Sequence, residues 1–371
     1  MDSLRFSAAV SRAPDAPVGV ETLQARFGGP GDVLVRVRAT SVCHTDFEAA
    51  TGRMGPLHPF VPGHEAAGIV EAVGSGVTRV KPGEQVVISW NPSCGHCFYC
   101  ARRTPILCEP YVRGFARGTL LDGGTRLRDD AGDVNHLMFA ASFAEYAVIS
   151  EDSAIPVSDA MPADRACLLG CAVSTGFFAA QRIAQVNADD TVLVIGCGAV
   201  GLSAIQGARL AGAAKILASD FDARKRELAG RLGADVTVDV GREDLLAAVQ
   251  SHTGGRGADC VIECAGTETS LQSSMEAVRP GGRVVWLGKL PASATARFRW
   301  GSMMGEKRII RSSYGGTRGR EDFPALAALY LDGRLQLDPL VEGSGGLHDA
   351  ARFLDAVGSG AALRNVIRPG S

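Results

Sequence analysis

TVLVIGCGAVGLSAIQGARLAG, residues 191–212, is an apolar run that halts on glycine and resumes as a different pattern. TVLVIG (191–196) is a short, continuous, β-branched stretch, the pattern of a strand buried on both faces. GAVGLSAIQGARLAG reads as a helix that ends at Gly212. Between them Gly196, Gly198 and Gly201, with Val200, spell G-x-G-x-x-G. The next strand-like run, KILASD, ends in Asp220, nineteen residues after Gly201. The glycines alone carry little information. A strand before them, a helix after them and an acidic residue at the end of the next strand make them a dinucleotide site. Glycine lets the backbone approach a pyrophosphate at the positive end of the helix. Asp220 would bond the adenosine ribose hydroxyls and repel a 2′-phosphate, which favours NAD over NADP. Cys197 reads as a small filler in the turn. The competing reading is a tight strand–helix turn that holds no ligand.

Alternation continues outward: DARKRELAGRLG, VTVDV, EDLLAAVQSHT, DCVIECAG, SLQSSMEAV, RVVWLG and RIIRSS. About six strands interleaved with helices predict an α/β, doubly wound parallel sheet. Upstream the texture differs. VLVRVRAT, GIVEAVG and EQVVIS lie between turn signals such as GGPGD and KPGE, so residues 1 to about 150 are β-rich. The tail, from about 315, shows a helix over 321–331, a strand-like LDPLV, a helix over 347–357 and a final RNVIRP.

The 371 residues suffice for two domains, with 46% hydrophobic and 21% charged residues and a net charge of -2. No basic run recruits nucleic acid or an anionic membrane surface. The N-terminal residues have no apolar stretch of signal-peptide length, and no run reaches a membrane span. The expectation is a cytoplasmic enzyme with no nucleic-acid or membrane partner. Ten cysteines in a reducing compartment should not pair into disulfides. Four are grouped as Cys94-x2-Cys97-x2-Cys100-x7-Cys108, and four thiolates on one short loop can enclose a tetrahedral Zn²⁺ with no open position. A disulfide cluster or a redox switch are the alternatives.

CHTDFE, residues 43–48, crowds reactive groups together: Cys43, His44, Thr45, Asp46 and Glu48. His64 and Glu65 follow in HPFVPGHE, and Cys171 sits in LLGCAVSTG. Cys43, His64 and Cys171 would form a Cys₂His set that leaves a fourth zinc position open. Spacing alone does not show that they meet, and a lone Cys or His more often packs than ligates. The nicotinamide site strengthens the metal reading, because hydride transfer from an alcohol needs a Lewis acid to stabilise an alkoxide.

CHTD, PGHEAAG, the four-cysteine loop, LLGC-x2-STG and GCGAVG occur here in the order and spacing of the zinc-dependent medium-chain alcohol dehydrogenases, and the chain resembles that family over nearly its whole length. The stretch between Cys108 and Phe143, with RGTLLDGGTR, resembles the class I and class III branch, whose members are usually dimers. The resemblance implies a discontinuous catalytic domain, 1–172 and 315–371, with a chaperonin-10-like β fold, and an inserted Rossmann domain, 173–314. It implies two zinc ions per chain and NAD. Cys43, His64 and Cys171 match the catalytic zinc ligands; Asp46 matches the carboxylate that orients the histidine, and Glu65 the carboxylate behind the metal. Thr45 matches the hydroxyl that accepts the alcohol proton. His44 falls on a pyrophosphate contact, Arg364 on a second, and Lys225 on a ribose contact. Thr175 and Val200 match residues that place the nicotinamide. Glu48 departs from the pattern, since many members have a histidine there as the last group of the proton relay; the carboxylate is expected to take the proton instead, the alternative being that water does. Trp90, with Thr45, Met54 and Leu137, is expected to line the pocket, and a Trp suits a flat aryl or allylic primary alcohol. Lys289 falls near a position that is usually apolar and pocket-lining and is expected to face solvent or cofactor, the alternative being a substrate carboxylate or phosphate. The arginine diagnostic of a glutathione-adduct site falls on Val112, with Arg113 adjacent. Two other readings stand beside this one: a zinc-lacking enone or quinone reductase of the same superfamily, and a non-enzymatic zinc-lobe interaction protein.

Overall fold

The structure is a computed structural model that describes residues 4–115, 117–291 and 293–370. The chain divides into two compact units, residues 172–317 and a discontinuous one of 1–171 with 318–371.

The 172–317 unit holds a six-stranded sheet in the order Val236–Asp239, Lys215–Asp220, Thr191–Ile195, Ala258–Glu263, Val278–Trp286, Arg308–Arg311, with every neighbouring pair parallel. This is the doubly wound sheet that the alternation predicts. Thr191–Ile195 sits at the centre, where strands on both edges pair its backbone, and its apolar run is buried as in a parallel strand covered on both faces. Leu193, Leu217, Val249, Val261 and Val284 belong to one core cluster. The glycine motif lies where Thr191–Ile195 turns into the helix Ala199–Leu210, which packs against Ala172–Phe178.

The other unit is built on a seven-stranded sheet and a five-stranded one. In the larger sheet Asp32–Ser41 is central. It pairs antiparallel with Glu65–Val73, placing Ser41 opposite Glu65, and antiparallel with Arg364–Ile367, placing Ser41 opposite Val366. That double register brings the segment after Ser41 between the starts of two strands from distant parts of the chain. The tail departs from expectation in detail. Asp338–Leu340 is a 3₁₀ turn and the strand begins only at Val341, because Pro339 suits the first turn of a helix and has no N–H for a ladder. Leu347–Asp349 is also a 3₁₀ turn, leading into the helix Ala350–Gly358. The preceding helix starts two residues early, at Gly319, where the Asp322 carboxylate accepts the Arg318 N–H. Among the described residues no single helix is long and apolar enough to cross a membrane.

Candidate active site

Cys43 is the N-cap of the helix His44–Ala50, and the ordinary geometry of a helix start aims Asp46 back at it. The buried Asp46 carboxylate accepts three hydrogen bonds: from Cys43 N at 2.8 Å, Gly63 N at 2.9 Å and His64 Nδ1 at 3.0 Å. A carboxylate can only accept, so His64 carries its proton on Nδ1 and presents a lone pair at Nε2. That Nε2 is buried with no hydrogen-bond partner. Cys171 follows the turn Cys167–Gly170; Gly170 sits against the backbone of Ile88, His64 and Glu65. The ligand atoms of Cys43, His64, Glu65 and Cys171 all lie within 4.8 Å of one another.

Glu65 is already committed. Its carboxylate holds Arg364 in a fork, Oε2 to Nε and Oε1 to Nη2, both at 3.1 Å, and the same Nη2 lies 3.4 Å from Cys43 Sγ. Both side chains are buried. Arg364, which the resemblance matches to a pyrophosphate contact, thus also stands behind the candidate ligands. Burial raises the Glu65 carboxyl, with Arg364 opposing it. A hydrogen bond with Cys171, against the cost of burial and with help from the Arg364 cation, holds the Cys43 thiol well below its usual range. Burial disfavours the His64 imidazolium, yet Asp46 and Cys43 outweigh it and push the group up to about 10; the site therefore favours a positive charge at Nε2, and a bound cation there would take the place of the second proton and use the lone pair. Two clustered sulfurs and an orphaned imidazole nitrogen fit a Zn²⁺ ion held by Cys43, His64 and Cys171, with Glu65 spoken for and the fourth position open.

Thr45 is buried on the same helix. Glu48 lies one turn beyond His44, with 3.9 Å between Oε1 and Nδ1; His44 is exposed and Glu48 half-buried.

Cys94, Cys97, Cys100 and Cys108 form a second cluster with their sulfurs within 4.8 Å. The N–H of Cys97 points at Cys94 Sγ and that of Cys94 at Cys108 Sγ, both at 3.4 Å, the backbone donors a metal-thiolate lobe requires. No further protein position is needed to complete a tetrahedron there.

In the other unit Gly196 has φ +92°, a conformation that L side chains rarely adopt. A Cβ on Gly201 would overlap the Gly196 carbonyl oxygen, whereas one on Gly198 would meet nothing within 4 Å. The turn is therefore packed on its inner side and open on the side where a pyrophosphate would approach. Asp220 accepts the N–H of Cys197 at 2.7 Å and of Asp222 at 2.9 Å. Beside it lies a cavity of about 260 Å³ lined by Ile195, Asp220, Phe221, Val240 and Thr267, among others. Thr175 is buried with its Oγ1 unpartnered, and the following Gly176 packs on the Val200 backbone, which brings these two predicted residues together. Lys225 is half-buried and Lys289 exposed.

Trp90 and Leu137 are buried in the discontinuous unit and Met54 is half-buried. The sequence reading missed an aromatic residue beside Trp90 and the ring packed behind it. Tyr111 stands with its ring centroid 6.2 Å from Trp90 and 5.4 Å from Phe139. Tyr111, Gly114 and Phe115 are spaced i, i+3, i+4, the mark of one helical face, and Glu109–Phe115 is a helix. Its brevity and the flanking arginines hid that signal. Val112 is 55% exposed and Arg113 is exposed.

Residues 29–159 match the model of the alcohol dehydrogenase GroES-like domain, and residues 199–332 that of zinc-binding dehydrogenases. The chain is 33% identical to S-(hydroxymethyl)glutathione dehydrogenase of Saccharomyces cerevisiae, covering 98% of this chain and 96% of that one. Among solved structures, an alcohol dehydrogenase zinc-binding domain protein from Burkholderia ambifaria superposes with TM-score 0.94 at 34% identity, covering 99% of this chain and 100% of that one. Benzyl alcohol dehydrogenase from Acinetobacter calcoaceticus does so with TM-score 0.92 at 29% identity and 99% of each chain. The fold is thus a Rossmann sheet joined to a GroES-like, that is chaperonin-10-like, domain. The chain belongs to the zinc-dependent medium-chain alcohol dehydrogenases, NAD-dependent oxidoreductases that act on CH–OH groups.

Proposed function

We propose that the chain oxidises a primary alcohol of aryl or allylic type with NAD⁺, reversibly, at the Cys43–His64–Cys171 centre. One observation carries this: a Cys₂His set beside a fourth group, Glu65, that Arg364 has taken out of contention. Zn²⁺ in that set would supply Lewis acidity at an open position, lowering the pKa of an alcohol hydroxyl, and NAD⁺ would supply the hydride acceptor.

The chain's own residues do the rest. Asp46 fixes the His64 tautomer. Arg364 offsets the charge of Glu65 and of the Cys43 thiolate, so two anions can be buried together. Thr45 takes the alcohol proton at Oγ1, and Glu48 receives it on the way to water. Gly196–Gly201 and the helix start hold the pyrophosphate, with His44, Lys225 and Asp220 on the phosphate and ribose groups. Thr175 and Val200 place the nicotinamide. Cys94, Cys97, Cys100 and Cys108 would hold the second zinc, which stiffens its loop. The boundaries near 172 and 315 would separate the catalytic domain from the inserted cofactor domain.

Trp90, Leu137 and Met54 give the pocket an apolar wall, which favours aryl and allylic groups. The adduct substrate in the yeast relative's name is not carried over, because apolar Val112 stands where the resemblance puts an arginine. A reducing cytoplasm is proposed as the compartment, where ten cysteines would stay unpaired. The edge strand Arg308–Arg311, with Ile310 43% exposed and Trp300 near it in sequence 77% exposed, suits pairing with a second copy, so a homodimer is proposed.

Two measurements test the reading together. Metal analysis should return two zinc per chain, and NADH formation should follow from a panel of primary alcohols with NAD⁺ and not with NADP⁺. A single zinc per chain with turnover of activated double bonds would point to the reductase reading instead. Glu48→Gln should alter the pH–rate profile; an unchanged profile removes Glu48 from the relay.

A further inference from the structure

Tyr111 is held on three sides. Its ring lies 5.4 Å from Phe115, 5.4 Å from Phe139 and 6.2 Å from Trp90. Gly114, one turn on, lets the helix press against Phe139: a Cβ there would sit 3.0 Å from the Phe139 ring. The side chain is only 6% exposed, so the ring has no freedom to swing out. Yet its hydroxyl has no hydrogen-bond partner among the described residues, and it is not one of the sealed polar atoms. A phenol fixed by its ring and open only at its oxygen is a group aimed at something outside the protein.

Packing on Trp90 places that ring beside the segment that reaches the chemistry. The strand Gln85–Ile88, which ends two residues before Trp90, touches Gly170 through the Ile88 carbonyl, next to Cys171 and against the His64 backbone. Burial first, and Cys171 second, raise the Tyr111 hydroxyl above its ordinary pKa, so it stays protonated and can donate. All these residues belong to one unit.

When an aryl alcohol fills an apolar wall, water leaves. A buried hydroxyl then stands unpaired against a plain hydrocarbon ring, and a ring oxygen would satisfy it. Sites built around a hydrogen bond discriminate strongly against analogues that lack the partner. We propose that Tyr111 is a specificity-determining residue whose ring stacks the pocket wall with Trp90 and whose hydroxyl hydrogen-bonds a hydroxyl or methoxy oxygen on the ring of an aryl primary alcohol. This rests on the aryl-alcohol reading above and narrows it.

The experiment measures kcat/KM with NAD⁺ and the zinc-loaded enzyme for benzyl alcohol and its 3- and 4-hydroxy, methoxy and methyl derivatives. The methyl series controls for size. The expected result is that at least one oxygenated isomer exceeds its methyl counterpart by about fivefold or more. Tyr111→Phe, which deletes one oxygen and keeps the ring, should bring that ratio close to one. A wild-type ratio near one overturns the proposal and needs no variant. So does a ratio that survives Tyr111→Phe. If straight-chain primary alcohols are oxidised and no benzyl alcohol is, the aryl reading falls and this inference with it.

Discussion

Asp46→Asn is the substitution that probes the candidate metal centre most directly. The wild-type carboxylate spends Oδ1 on Gly63 N at 2.9 Å and His64 Nδ1 at 3.0 Å, and Oδ2 on Cys43 N at 2.8 Å. An amide has one acceptor oxygen and one donor NH₂. If its oxygen serves the Oδ1 partners, its NH₂ confronts the Cys43 N–H; the opposite rotamer confronts two donors. The better choice loses one charge-assisted hydrogen bond in a buried place, about 1.5–3 kcal/mol, and leaves Cys43 N unpaired. It also removes the anion that makes His64 a strong ligand, an effect that typically weakens metal binding by about 10–100-fold. The assay is zinc retention: dialyse wild type and variant against a graded series of chelator, then count zinc per chain. The four-cysteine lobe has no contact with Asp46 among the described hydrogen bonds, so it is an internal control. The expected outcome is that Asp46→Asn falls from two zinc to one at a chelator activity where wild type keeps both, and alcohol oxidation falls with it. A variant that keeps both ions across the series, with kcat/KM unchanged, would refute the argument that Asp46 sets the ligand state of His64.

His136 is buried, and burial first and the nearby Arg126 cation second hold it down at about 3, so it folds neutral. The unfolded chain binds a proton there below about pH 6.5 and the folded chain does not, so stability must drop as pH falls from about 6.5 toward 3, by up to about 1.4 kcal/mol per pH unit. His136→Gln should flatten that part of the curve in urea titrations at pH 7 and pH 5; parallel curves would remove His136 as the cause. Gly201→Ala places a methyl on the Gly196 carbonyl oxygen, and the strain, about 1–3 kcal/mol, should appear as weaker NAD⁺ binding by calorimetry with zinc content intact. Unaltered affinity would mean that the turn can move. Ile310→Glu puts a charge on the edge strand Arg308–Arg311 and should shift sedimentation toward the monomer mass; an unmoved dimer would place the interface elsewhere.

The cofactor half of this chain was legible because its signal is local. TVLVIG, the three glycines and Asp220 lie within thirty residues, and the strand and helix periods between them set their geometry directly. The four-cysteine lobe was legible for the same reason: one short loop places all four sulfurs. For the open metal centre the sequence supplied residue types and, through resemblance, names. That Cys43, His64 and Cys171 meet follows from strand register, with Ser41 opposite both Glu65 and Val366, and no spacing rule reaches that far. Arg364 is the clearest case: it closes on Glu65 and Cys43 from 299 and 321 residues away, a partnership that its local sequence does not hint at. Tyr111 needed the fold as well, since only packing against Trp90 and Phe139 turns an unremarked helix residue into a fixed phenol. Periodicity encodes what neighbours along the chain do to one another, whereas a site assembled across a sheet exists only once hydrogen-bonded register and side-chain packing have chosen which distant segments lie side by side.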